Sequence, residues 1–111
     1  MTELSVPTDA PLPNDLSVLR DEPVIAVVRA PRIPDAAALC AALAEGGINL
    51  TEFTYTTPNV TDHLLRASKA GWRVGVGTVL TAEQARRGAE AGASFLVTPG
   101  CRPEVAGAAA A

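Results

Sequence analysis

The chain has 111 residues, nearly half of them apolar (48%), and a formal net charge of −3 from nine basic and twelve acidic residues. That length suits one domain, or part of a larger one, with a packed core. The mildly acidic balance offers no basic patch for nucleic acid, and no run approaches the roughly 18 apolar residues of a membrane helix.

The first residues, MTELSVPTDAPLPND, lack the basic start and apolar stretch of a secretory signal. Cys40 and Cys101 have no CxxC spacing, so a reducing cytoplasm is the expected location. Residues 1–13 hold Pro7, Pro11 and Pro13 among small polar residues and read as a mobile tail. A short helix is expected from Asn14 or Asp15 to about Asp21.

A repeating pattern follows. PVIAVVRA (23–30) is a continuous apolar, β-branched run, and RIPDAAALCAALAEGG (32–47) is an apolar helix stopped by Gly46-Gly47. INLTEFTYT (48–56) reads as a strand. TPNVTDHLLRASKAG (57–71) reads as a helix with Thr57 at its N-cap, Pro58 at its first position and Gly71 as its stop. WRVGVGTV (72–79) is a strand. TAEQARRGAEAG (81–92) opens with the capping box Thr81 and Gln84 and ends at Gly92. ASFLVTPG (93–100) is a strand, and RPEVAGAAAA (102–111) starts a helix with Pro103 in its first turn.

Strands that are apolar throughout, alternating with helices, belong to a parallel sheet covered by those helices. Two architectures fit: a doubly wound sheet or a (β/α)8 barrel. The dinucleotide fingerprint is missing after the first strand, where Arg29-Ala30-Pro31 stand. GVGT (75–78) has Leu80 where a third glycine belongs, and no GxxxxGK phosphate loop occurs. The barrel is favoured. A whole barrel takes roughly 200 to 250 residues, so this chain has about half of one.

Glu52 is the unexpected residue, a carboxylate inside a strand that reads as buried. Residues two apart share a strand face. Leu50, Glu52, Thr54 and Thr56 then point one way, and Thr51, Phe53 and Tyr55 the other. If Phe53 and Tyr55 pack under the helices, Glu52 faces the barrel interior and climbs towards the mouth where barrel active sites lie. Desolvation there raises a carboxyl pKa and suits proton transfer. The alternative is a buried Glu52 that pairs with Arg29. Arg29, Glu52, Thr78 and Thr98 come at the ends of successive strands, which would form a polar ring suited to a small anionic substrate. Arg29 as a surface turn residue and Thr78 as a cap or turn residue remain the plainer alternatives.

His63 reads as part of a solvated helix face, and Cys40 as core. Cys101, just after a strand end, is a weaker candidate for the mouth. Lys69, the only lysine, lies in a helix among polar neighbours and does not suit a nucleophile. No His/Cys/Asp/Glu cluster has metal spacing, and no metal or cofactor is expected.

PVIAVVRA, ALAEGGINLTEFTYTTPN and VGVGTVLTAEQARRGAEAGASFLVTPG, spanning about Pro23 to Pro103, resemble the first half of the family of 2-keto-3-deoxy-6-phosphogluconate (KDPG) and 4-hydroxy-2-oxoglutarate (KHG) aldolases. The resemblance implies a (β/α)8 barrel, assembled as a cytoplasmic homotrimer, that cleaves a small keto-acid substrate to pyruvate and an aldehyde. It implies carbohydrate metabolism of the Entner–Doudoroff type. A lysine forms a Schiff base with the keto carbon, without metal. The family's proton-shuttling glutamate matches Glu52, and the threonine of its GxGTVL motif matches Thr78, near the substrate carboxylate.

The chain departs from the family in two ways. Where many members carry an arginine four residues after the glutamate, this chain has Thr56, and Arg29 is expected to supply the positive charge. The Schiff-base lysine lies on the family's sixth strand, and nothing here matches it. The expectation is therefore the N-terminal half of an aldolase barrel over 14–111, cut in its fourth helix. A non-catalytic half-barrel that self-associates or binds a partner is the alternative, and another β/α barrel acting on a phosphorylated sugar is a more distant one.

Overall fold

The computed structural model describes residues 17–100 and 102–110. The tail expected over 1–13, the caps Asn14 and Asp15, and Cys101 lie outside them. The order is α1 (Val18–Asp21), β1 (Ile25–Val28), α2 (Ala36–Glu45), β2 (Leu50–Thr54), α3 (Val60–Lys69), β3 (Arg73–Gly77), α4 (Ala82–Glu90), β4 (Phe95–Leu96) and α5 (Pro103–Ala110). Ser17 stands at the N-cap of α1 but makes no side-chain capping bond.

The four strands form one parallel sheet in the order β1-β2-β3-β4. That order decides between the two architectures. In a doubly wound sheet the order reverses and helices cover both faces. Here each strand pairs with the next, and right-handed crossovers put α2, α3 and α4 on the same face. The opposite face is the lining of a barrel wall.

Three of the helices stop in the same way. After α2, Ile48 N–H donates to Leu43 C=O at 3.0 Å; after α3, Trp72 donates to Ala67 at 3.1 Å; after α4, Ala93 donates to Gly88 at 3.0 Å. These are six-to-one bonds around a residue in the left-handed region, supplied by Gly47, Gly71 and Gly92 at φ of 93°, 93° and 102°. Each stop feeds the next strand.

The helix starts follow local chemistry less uniformly. Asp35 caps α2, accepting from Ala37 and Ala38 at 3.0 and 3.1 Å. Thr81 caps α4, but Gln84 Oε1 accepts from Leu80 N–H at 2.8 Å rather than from Thr81, a capping box displaced by one residue.

The expected start of α3 is corrected. Its N-cap is Asn59, at φ 58°, and not Thr57, so Pro58 stands outside the helix. The Thr57 hydroxyl accepts instead from Ala30 N–H at 3.2 Å and ties the loops after β1 and β2 together. Asn tolerates the left-handed turn that then brings the chain into the helix.

The strands are shorter than their apolar runs. β4 extends only over Phe95–Leu96 and has a partner on one side. The core lies between the outward face of the sheet and the helices. Phe53, Val74 and Val76 meet Leu64 and Ala67 of α3, Ala85 of α4, and Ala36 and Cys40 of α2. Cys40 is buried as expected. His63 is half-buried, not wholly solvated, with its ring 6.4 Å from that of Phe53.

Candidate active site

The inward face of β2 carries Leu50, Glu52 and Thr54. Register sets Glu52 between Val27 of β1 and Gly75 of β3, one row below Gly77. Glu52 is only 6% exposed. Burial pushes its carboxyl above the ordinary range for a glutamate, and the Arg29 guanidinium partly offsets this. Arg29 is the charged group that acts on it. A buried carboxyl with a raised pKa is a candidate for proton exchange.

Above Glu52 the polar residues converge. Arg29, just past the end of β1, donates from Nε to Thr56 Oγ1 at 3.1 Å. Thr56 in turn shares a hydroxyl–hydroxyl hydrogen bond of 2.6 Å with the fully buried Thr54. Arg29, Thr54 and Thr56 thus form a chain of donors at the mouth, over the carboxylate. The sequence pairing of Arg29 with Glu52 survives only as a charge effect; the hydrogen bond of Arg29 goes to Thr56. Tyr55, on the other face, donates to Gln84 C=O at 2.5 Å and anchors β2 to α4.

Thr78 follows the last residue of β3 at φ 55°. For a β-branched residue this is a strained backbone, of the kind held where the surroundings demand it. The left-handed conformation costs about 1–2 kcal/mol, and glycine's extra chain entropy costs about 0.5–1 kcal/mol. Thr78→Gly is therefore expected to change stability by about 0 to 1.5 kcal/mol, on the stabilising side. A loss well beyond that in urea unfolding would mean that Thr78 is held for packing and not for the site.

Thr98 does not join the ring, since its hydroxyl turns into its own loop and donates to Gly100 C=O. Lys69 is exposed in the last turn of α3, at the end opposite the mouth, because α3 runs antiparallel to β2. Among the described residues no cluster of three or more His, Cys, Asp or Glu could hold a metal ion, and no helix is long and apolar enough to cross a membrane. Gly77 is the site residue that motif reading passes over. Strand alternation signals it, since Gly75 and Gly77 both fall on the inward face beside Glu52.

A family model described as the KDPG and KHG aldolase matches residues 16–111. The chain belongs to the KDPG and KHG aldolase family. A 2-dehydro-3-deoxy-phosphogluconate aldolase of Treponema pallidum is 43% identical over 84 residues, covering 74% of this chain and 40% of that protein. The KDPG aldolase structure of Zymomonas mobilis with 3-phosphoglycerate superimposes with a TM-score of 0.79 at 35% identity, over 91% of this chain and 48% of that one. The Legionella pneumophila KDPG aldolase, captured with pyruvate as a covalent carbinolamine, gives 0.72 at 35% identity, over 83% and 46%. The chain thus spans less than half the length of these aldolases, and its four strands are four βα units of their barrel.

Proposed function

We propose that this chain carries the Glu52 side of a class I aldolase site, and that the whole enzyme cleaves KDPG or KHG to pyruvate and an aldehyde. In this reading residues 14–111 are the N-terminal half of the barrel. The observation that carries it is a buried carboxyl held protonatable beneath a mouth of arginine and threonine donors.

A lysine from the remainder of the barrel attacks the keto carbon. Glu52, through a water, gives a proton to the carbinolamine hydroxyl as water leaves, and the iminium forms. Removal of the proton from the substrate's C4 hydroxyl then breaks the C3–C4 bond, whose electron pair moves into the iminium to give an enamine. Protonation at carbon and hydrolysis release pyruvate. Arg29 and Thr56 hold the substrate carboxylate in place of the arginine that many relatives carry, with Thr78 beside them. The substrate is a small keto acid, neither nucleic acid nor membrane is a partner, and the assembly is a cytoplasmic homotrimer serving an Entner–Doudoroff type of carbohydrate breakdown.

Borohydride reduction of the native gene product in the presence of pyruvate tests this reading. The expected result is a stable adduct on a lysine other than Lys69. The companion substitution Arg29→Ala is expected to raise KM by about tenfold or more, since a charge-assisted hydrogen bond is worth about 1.5–3 kcal/mol. No adduct, or an unchanged KM, overturns the respective assignment.

A second reading has an observation of its own. Val27 and Val97 on the inward face are 58% and 38% exposed, and the outer edges of β1 and β4 are unpaired among the described strands. A non-catalytic half-barrel that covers this face by self-association predicts a concentration-dependent dimer with no pyruvate adduct.

A further inference from the structure

Gly77 stands at the end of β3 in a backbone conformation that does not require glycine; the glycines with positive φ are Gly47, Gly71 and Gly92. The reason for glycine is therefore across the sheet. A Cβ on Gly77 would overlap Glu52 Oε1 and lie 2.5 Å from Cδ and 3.0 Å from Cγ. The whole carboxyl head occupies the space a side chain would take. The backbone cannot retreat to make room, because Gly77 C=O accepts from Tyr55 N–H at 3.0 Å, and the next turn is held by Val79 N–H on Val97 C=O at 3.2 Å. Gly75 does the same one row lower for the Phe95 ring, which covers it. The two glycines leave β3 as a bare floor on which Glu52 and Phe95 are laid.

We infer that Gly77 is a positioning residue that sets how deeply the Glu52 carboxylate is seated in the barrel wall. The inference rests on the reading of Glu52 as the proton-transfer group. A methyl group at 77 displaces the carboxyl off β3, out of its buried seat and towards β1, which carries Arg29. Arg29, just past β1, is the charged group acting on Glu52; β3 presents Gly75 and Gly77 beside it, with Arg73 one row lower next to Leu50, and β4 presents Phe95. Displacement therefore removes desolvation and strengthens the arginine's pull, and both changes lower the pKa.

The test is the carbon-13 titration of the Glu52 side-chain carboxyl in the 111-residue chain and in Gly77→Ala, together with thermal unfolding of Gly77→Ala, Glu52→Ala and the double variant. The expected result is a Glu52 midpoint lowered by at least about one unit in Gly77→Ala. Gly77→Ala should also lower the unfolding temperature when Glu52 is present and change it little when residue 52 is alanine. If Gly77→Ala alone fails to fold, a folded double variant still assigns the conflict to Glu52. An unmoved midpoint in a folded Gly77→Ala, or an equal loss of stability with and without Glu52, overturns the inference, because Gly77 would then serve the backbone alone. Neither readout uses substrate or the lysine, so failure here and failure of the borohydride experiment are distinguishable.

Discussion

In the whole enzyme proposed above, Glu52→Gln is expected to lower kcat for aldol cleavage by about 10²–10⁴-fold, the usual contribution of a positioned proton-transfer group. The amide is nearly isosteric, so KM should change little; adduct formation with pyruvate should slow with kcat. The same change has an opposite effect on stability. Burial raises the folded-state pKa of Glu52 above its ordinary value of 4.5, so the folded chain holds this proton more tightly than the unfolded one. The sign follows from linkage: stability is highest while the carboxyl is protonated in both states, and it falls as pH rises from the unfolded pKa through the folded one. Gln does not ionise. Glu52→Gln should therefore raise the unfolding temperature at about pH 7 and lose that advantage at about pH 4. Thermal unfolding across that range, set beside steady-state kinetics, separates the two effects. Undiminished turnover would mean that Glu52 is buried as a packing residue under the Arg29 charge and moves no proton.

Phe53→Ala should cost about 3–5 kcal/mol in urea unfolding, the range for deleting a buried aromatic ring. Phe53 is fully buried and lies in register between Val28 and Val76 on the outward face of the sheet. It packs in the cluster that joins that face to Leu64 and Ala67 of α3. Total stabilities of natural domains are about 5–15 kcal/mol, and an open sheet with exposed Val27 and Val97 on its other face belongs low in that range. The alanine variant is therefore expected to lose its cooperative unfolding transition, while Phe53→Leu, which keeps most of the volume, costs less than about 1.5 kcal/mol. If Phe53→Ala cost under about 1 kcal/mol, the core would be centred elsewhere. The two substitutions act on opposite faces of one strand, one residue apart, and should move different quantities.

Much of this arrangement was legible beforehand because its causes are local. The glycine stops of α2, α3 and α4 need only a residue that accepts the left-handed region. The Thr81 cap needs only a short polar side chain before a helical stretch. The alternation through Leu50, Glu52 and Thr54 against Thr51, Phe53 and Tyr55 follows from the geometry of any strand. Glu52 could be picked out as inward-facing for that reason, and Cys40 as core from its apolar helix.

What remained hidden depends on neighbours distant in the chain. Thr57 has the residue type and position of a cap, yet Ala30 claims its hydroxyl from another loop, and Asn59 takes over. Arg29 and Glu52 looked like a pair, but pairing of β1 with β2 brings Arg29 Nε to Thr56. The strained φ of Thr78 has no sequence signature in a threonine. Gly77 looked like part of a motif, and its reason appears only once β2 and β3 are in register and Glu52 lies across it. The amino-acid sequence by itself determined the order of strands and helices, the helix stops and which face of β2 carries the carboxylate, because propensity, capping and alternation act over a few residues. The tertiary structure alone decided which residues of adjacent strands touch, because register is a property of two strands together and exists only after they pair.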